Sequence, residues 1–578
     1  MANKRLFQSA LPGATLPDTD TVNEAGGRAY KKSDKATLAQ FAVSGCLNST
    51  FYVKDEDQLK IVLELSRKVD SQFIAQTAIY AREQGYLKDM PALLTAILFG
   101  RTETETSARM PFVAAFGRCI DNGKMLKNFV QIVRSGIVGR KALGASSIKK
   151  LIQKWFDGHT DDQLLFQSIG NDPSLVDVIK LARVNARTPS RRALFKWLIG
   201  AKEGEKCHKG FAYNSADLPQ LVKDYVAWKA SVKGARPGAP PKVPFQMLTS
   251  LDLSQADWEK IAKDASWTQT RMNLNAFLKH GVFNNKKVLA QVVARLKNRE
   301  LIEKTKVFPY QVMTAYNYTS RTAGMPQAIL MGLQQALEHS LRNIPEIAGK
   351  IVLAPDMSGS MGGPVTGNRD SNATGTTARR GRSYGATTVV SCREVAALVT
   401  AAFLRKAPET LILPFSDHID LVRLNPMDSV ATNAQALARL PSGGTNCTLP
   451  LAYLNQEKIK ADLVIYVSDY ESWLDPQGRT MHRYGWGPQD VHAKTGMMVQ
   501  WRKFKANNPK ARLVCVDLQP APSAQVIVED DILSIGGWSD TCFKLIADFA
   551  SNGNKGDMWV QWIEAQPLFE TGAGTVAP

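Results

Sequence analysis

The chain has 578 residues, enough for two to four domains, with 44% hydrophobic and 22% charged residues and a formal net charge of +19. This composition excludes a low-complexity or collagen-like chain. Its seven widely spaced cysteines, with no CxxC pair, argue against a disulfide scaffold or a cysteine zinc site. No apolar run approaches the roughly 18 residues of a membrane-spanning helix, and the segment after Met1 lacks an apolar signal core. The expectation is a protein with reduced thiols in the cytoplasm and no membrane partner.

Residues 1–35 are polar and rich in Gly, Pro, Thr and Asp, and read as an N-terminal arm. From 36 to 349 apolar residues recur at helical spacing in segment after segment, among them 72–85, 91–99, 111–121, 125–134, 147–156, 174–184, 190–199, 254–264, 285–298 and 326–342. Many short helices joined by Gly, Pro and Asp turns suggest helix pairs stacked as in an α-solenoid. From 350 to 551 short apolar strands (350–354, 410–415, 462–468, 512–518) alternate with helical stretches, the pattern of an α/β sheet. Residues 552–578 read as a C-terminal tail without clear pattern. The expected fold is therefore mainly α, a helical-repeat domain followed by an α/β domain.

The positive charge is unevenly placed. Residues 1–350 hold 51 Lys and Arg against 31 Asp and Glu, whereas residues 351–578 have a net charge of −1. Such asymmetry points to a polyanion met by the first part of the chain. Two clusters stand out. Arg140, Lys141, Lys149, Lys150 and Lys154 surround one helix, and Lys180, Arg183, Arg187, Arg191, Arg192 and Lys196 cross a Thr188-Pro189 break into the next. The helix start after Pro189 would offer backbone N–H groups to a phosphate. Arg271, Asn273 and Lys279 form a third group, of side chains able to bond a base or a phosphate, while His280 and Trp155, Trp197, Trp228 and Trp258 read as packing residues. The Gly-, Thr- and Arg-rich stretch 362–386 reads as a loop.

Asp356-Met357-Ser358-Gly359-Ser360 follows the strand ending at Ala354. A carboxylate and two hydroxyls at i, i+2 and i+4 on a turn leaving a strand converge on one small space. They are hard oxygen donors of the kind that suit Mg²⁺. Thr445, in Ser442-Gly443-Gly444-Thr445-Asn446, and Asp469, closing the strand 463–468, supply two more. The set Asp356, Ser358, Ser360, Thr445 and Asp469 resembles the metal-ion-dependent adhesion site of von Willebrand factor A domains. That resemblance implies a divalent cation with one position left open for an acidic side chain of a protein ligand.

The basic helical region followed by this metal-site domain resembles the Ro 60 kDa autoantigen family, the TROVE-domain proteins, whose bacterial members are called Rsr. Local marks are Gln40-Phe41-Ala42 through Gly45-Cys46, Gly139-Arg140-Lys141-Ala142-Leu143, and Trp267-Thr268 with Arg271-Met272-Asn273-Leu274. The resemblance implies a ring of HEAT-like helical repeats closed at the A domain. It further implies small noncoding Y-like RNA bound on the ring exterior, and single-stranded 3′ ends of misfolded RNA in the ring hole. A scaffold role in RNA quality control follows, with an exoribonuclease such as polynucleotide phosphorylase as partner. Family members often carry a His in the segment matching 180–188, where this chain has Val184-Asn185-Ala186.

No phosphate-binding GxxxxGK[ST] loop, GxSxG elbow or HExxH helix is present, and a non-enzyme is expected. The rival reading is a metal-dependent protein–protein interaction module with no specific RNA ligand. It leaves the charge split unexplained.

Overall fold

A computed structural model describes residues 16–44, 48, 50, 53–140, 142–143, 146–170, 174–205, 212–232, 236, 238–305, 307, 309–341, 346–365, 390–473, 494–537, 540–553 and 557–569. Two compact units divide the chain. One comprises 91–307 with 315–339, and the other comprises 1–90, 308–314 and 340–578. The sequence reading had placed residues up to 349 in the arm and the helical region. The contacts instead put residues 16–90 with the α/β part, because their strands and helices complete its core.

The first unit is helical. Its helices include Arg109–Cys119, Gly123–Ser135, Ser146–Asp157, Leu175–Ala182, Pro189–Ile199, Gln255–Asp264, Trp267–Met272, Leu274–Lys279, Lys286–Lys297 and Gln327–Ser340. Gly123–Ser135 shows why: Met125, Leu126, Phe129, Val130 and Val133 fall on one face and are buried. Asn122 caps its start by accepting from Met125 N, and Gly136, at φ 81°, ends it in the left-handed region. Several of these helices pack on others nearby in sequence, Leu175–Ala182 on Gly123–Ser135, Ser146–Asp157 and Pro189–Ile199 among them. Phe99, Phe112, Phe116 and Phe129 form one aromatic cluster. Trp155 donates to Ile120 O at 2.8 Å and Trp267 to Leu296 O at 3.2 Å, so each indole ties its helix to one that is not its neighbour in sequence. Trp155, Trp228 and Trp258 are buried, as the packing reading expected.

The second unit carries a five-stranded, all-parallel sheet. Its strands are β3 (Ile351–Pro355), β4 (Leu411–Ile412), β5 (Leu463–Ser468), β6 (Arg512–Asp517) and β8 (Ile532–Gly536), in the order β4-β3-β5-β6-β8. Both faces are covered, which is why β3 and β5 read as unbroken apolar runs. Val352, Ala354, Val464 and Tyr466 meet Trp501 and Phe504 of the helix Gly496–Asn507 in one core. A second, antiparallel sheet joins β1 (Thr21–Val22), β2 (Arg28–Lys31) and β7 (Ser523–Ala524). The segment read as an arm thus contributes two strands. The segment read as a patternless tail contains the helix Met558–Glu564, which packs on β8 and on the helix Ser71–Glu83. No described helix is long and apolar enough to cross a membrane.

Candidate functional site

From β3 the chain goes outward to β4, and from β5 it goes the other way to β6, so connections diverge from the crevice between β3 and β5. Open α/β sheets bind ligands at such a point, beyond the carboxyl ends of the strands. Asp356 leaves β3 there and Asp469 leaves β5 there. All five candidate cation ligands are buried, Asp356 and Ser358 at 0% exposure and Asp469 at 2%.

The geometry brings them together. Asp356 Oδ1 accepts from Ser358 N at 2.7 Å, and its Oδ2 from Ser468 Oγ at 2.6 Å. Ser358 Oγ lies 3.3 Å from Ser360 Oγ, and the Ser360 hydroxyl bonds Asp469. Gly359 N donates to Gly443 O at 3.0 Å, tying the Asp356 turn to the loop that carries Thr445. A Cβ at Gly443 would stand 2.1 Å from Asp417 Oδ1, so a side chain there would displace the Asp417 carboxylate. Burial pushes the Asp356 carboxyl upward, and burial plus the charge of Asp356 raises Asp469 to about 7. Two facing carboxylates in a dry site cannot both ionise without a compensating positive charge.

A divalent cation fits this demand. The donors are hard oxygens, both carboxylates are buried, and a cation would remove their mutual repulsion. Asp356, Ser358, Ser360, Thr445 and Asp469 would hold it, directly or through water, and it would supply a Lewis-acidic position for a ligand carboxylate. Among the described residues no group of three or more His, Cys, Asp or Glu side chains is gathered as a metal site, so any cation here depends on hydroxyls. Arg393 belongs to no motif in the sequence, yet it touches the site. Its guanidinium bonds Met357 O and Ser358 O (3.2 Å) and Leu440 O (3.1 Å), bracing the Asp356 turn. Its position one residue into the helix Cys392–Lys406 leaves no local signature.

In the helical unit the structure joins the first two basic clusters. Gln153 Nε2 donates to Asn185 O at 3.1 Å, and Asn185 N donates to Gln153 Oε1 at 2.8 Å. Arg187 meets Asp157 at 2.7 Å. Lys150, Lys154, Lys180, Arg183 and Arg187 are exposed, while Lys149, Arg192 and Lys196 are half-buried. Two expected RNA contacts are engaged internally. Arg191 donates to Asp161 at 2.7 Å, to Phe156 O at 2.8 Å and to His159 O, a clamp between helices. Arg140 pairs with Glu103 at 2.8 Å and lies over the Phe99 ring at 4.4 Å. Lys141 lies outside the described residues, as does most of the 362–386 stretch.

The Pro189 helix start, expected to offer N–H groups to a phosphate, carries its own side-chain cap. Thr188 Oγ1 caps it by accepting from Arg191 N, and Ser190 Oγ donates to Asp161 at 2.6 Å. The adjoining cavity, about 560 Å³, is lined by Asp157, Asp161 and Asp162 together with Arg187 and Arg191, which pair with Asp157 and Asp161. In the third group Lys279 is exposed and Arg271 half-buried, and Asn273 Nδ2 donates to Gln269 O at 2.8 Å. His280 stacks on Trp258 with ring centres 4.4 Å apart, a packing role.

Comparison with known proteins adds a further line. Residues 350–484 match the family model described as the Ro60 vWA domain. A protein of Deinococcus radiodurans named RNA-binding protein RO60 is 21% identical over 483 residues, 79% of this chain and 84% of that protein. A Caenorhabditis elegans protein of the same name is 24% identical over 235 residues, 39% of this chain and 33% of its own length. The crystal structure of the Deinococcus radiodurans RO (RSR) protein aligns with a TM-score of 0.57 at 16% identity, covering 90% of this chain and 99% of that one.

Proposed function

We propose, from the premise that this chain is related to the Ro60 proteins over most of its length and carries a Ro60-type von Willebrand A domain, that it binds RNA through its helical unit. The observation that carries this reading is the charge division. Residues 91–307 and 315–339 hold 37 Lys and Arg against 19 Asp and Glu, a net charge of +18, and the rest of the chain holds 35 against 34. Nearly the whole excess sits on the unit without the cation site. Exposed Lys150, Lys154, Lys180, Arg183 and Arg187 form its densest patch and would contact phosphates, with Lys279 and Arg271 as a second group.

The ligand is a small structured noncoding RNA of the Y type, with single-stranded 3′ ends of misfolded RNA as a second class. The protein acts as a cytoplasmic scaffold in RNA quality control beside an exoribonuclease, and has no catalytic centre of its own. Its A domain holds Mg²⁺ at Asp356, Ser358, Ser360, Thr445 and Asp469 and docks an acidic side chain of a protein partner. Names of the relatives and the placement of basic residues support the RNA part, while the buried oxygen cluster supports the cation part.

The test is to purify the chain from its host without nuclease and sequence the RNA that accompanies it. One or two structured small RNAs, enriched over ribosomal fragments and lost in Lys150→Glu/Lys154→Glu/Arg187→Glu, are expected. No enriched RNA would overturn the reading in favour of the protein-docking module alone.

A further inference from the structure

Asp469 sits on a turn that the chain does not hold by local bonds alone. Tyr470, next to it, has φ 56°, a left-handed conformation that a side-chain-bearing residue adopts at a cost. Inside the fold the turn is braced twice. Tyr470 N donates to Ser468 Oγ at 2.8 Å, and Glu471 N donates to Asp469 Oδ1 at 3.3 Å. The next two residues then run alongside the Thr445 loop. Trp473 N donates to Thr445 O at 3.2 Å, and Cys447 N donates to Ser472 Oγ at 3.1 Å. The stretch 470–473 is therefore the strut between two of the candidate ligands, Asp469 and Thr445.

That strut is closed from its other side by the turn between β1 and β2. Asn23 Nδ2 donates to Ser472 O at 2.9 Å, a buried bond across 449 residues of sequence. The same side chain accepts from Gly27 N at 2.6 Å, so Asn23 is fixed by its own turn before it reaches Ser472. Ala25 N donates to Glu471 Oε2 at 2.9 Å. Gly27 lies against the strut so closely that a Cβ would stand 1.9 Å from Ser472 O. The turn is anchored behind by β2 on β7 and by Lys32, which meets buried Asp517 at 3.0 Å.

We infer that the β1–β2 turn is part of the cation site, with Asn23 and Gly27 as positioning residues that set the Asp469 turn against the Thr445 loop. This rests on the cation reading given above. Neither residue touches the ion. They act through Ser472, as outer groups act on the ligands of other metal sites.

The full-length chain, stripped with EDTA, is titrated with Mn²⁺ by calorimetry and by the loss of the free-ion electron paramagnetic resonance signal. Wild type is expected to bind one Mn²⁺ and Asp356→Ala none. Asn23→Ala and Gly27→Ala should weaken binding by about 10- to 100-fold, the usual effect of losing an outer group. Tyr30→Phe removes the Tyr30 hydroxyl's bond to Pro17 O and loosens the same hairpin away from Ser472, so it should bind as wild type does. If wild type binds, Asp356→Ala does not, and Asn23→Ala is indistinguishable from wild type or from Tyr30→Phe, the inference falls and the cation reading stands. If wild type binds no Mn²⁺, the cation reading falls and takes the inference with it. Should Gly27→Ala fail to fold, Asn23→Ala decides alone.

Discussion

Asp257 of the helical unit meets Arg236 at 2.8 Å with both side chains buried, and Asp161 meets Arg191 at 2.7 Å. In the sheet unit Asp356, Asp469 and Glu471 are buried within reach of one another's charge, and burial pushes each upward. Asp257 moves the other way. Burial would raise it, but its bonds from Ser254 and the Arg236 charge hold it below the ordinary carboxylate range. In the helical unit arginines neutralise these buried acids, and lysines such as Lys150, Lys154 and Lys180 stand exposed, available to a polyanion. The other keeps buried acids in excess, which leaves a demand for a small cation. The two units thus differ in how their buried acids are balanced, which is the contrast on which the proposed RNA and cation ligands rest.

The largest expected effect separates those ligands. Lys150→Glu/Lys154→Glu/Arg187→Glu should lower RNA affinity by about a hundredfold or more at moderate salt and flatten its salt dependence by about two to three charges' worth. Mn²⁺ binding should not change, and filter binding across a salt series beside calorimetry reads both. Joint loss would break the division of labour.

Next in size, Arg236→Ala should destabilise the helical unit by about 3 kcal/mol, because it strands Asp257 in a buried site. Urea unfolding followed by circular dichroism measures it. A change under about 1 kcal/mol would show that the Asp257 pair does not bear that unit's stability.

The pH response should then split the units. Asp469, raised to about 7, and Glu24, raised to about 8 by burial and the charges of Asp517 and Asp469, are protonated in the fold while their unfolded counterparts ionise near 4. Their contribution is complete below the unfolded pKa and is lost as pH rises through the folded pKa, so without divalent cation the sheet unit should weaken between about pH 4 and 8. Added Mn²⁺ should reverse that loss, since it favours the ionised carboxylates. Asp257 contributes in the opposite sense, present above the ordinary carboxylate range and lost only on acidification, so the helical unit should be flat across the same window. Hydrogen exchange resolved by segment distinguishes the two. A parallel decline in both units would refute the assignment.

Smallest, Arg140→Lys should cost about 1 kcal/mol of stability through the lost stacking over Phe99 and leave RNA affinity within about twofold. A tenfold loss of affinity would return Arg140 to the RNA surface.

Much of this was legible in the sequence where the signal is local. Helices such as Gly123–Ser135 announce themselves by an apolar stripe with a cap at each end, and β3 and β5 by their length and their flanking turns. The helix Asp34–Ser44 is buried on most sides, at Leu38, Ala39, Gln40, Phe41 and Ala42, and so shows no stripe that sets it apart from the arm. The helix Pro309–Ser320 is rich in Tyr, Thr and Asn, weak helix formers that packing overrides. At the site, Asp356, Ser358 and Ser360 share one turn and could be read from spacing alone. Arg393 and Asn23 act through bonds to backbone carbonyls far along the chain, which no spacing rule encodes. The basic clusters were visible as charge, but which arginines face inward was not. Arg191 and Arg187 stand four residues apart, and only the fold assigns one to a clamp and the other to the surface.

The pairing of Arg28–Lys31 with Ser523–Ala524 also sets a schedule for synthesis. A ribosome adding about 5–20 residues per second needs roughly 25–100 s to pass from one strand to the other. Throughout that interval β2 has an unsatisfied edge, and Asn23 waits for Ser472. A chain released before β7 would leave β2 without this partner.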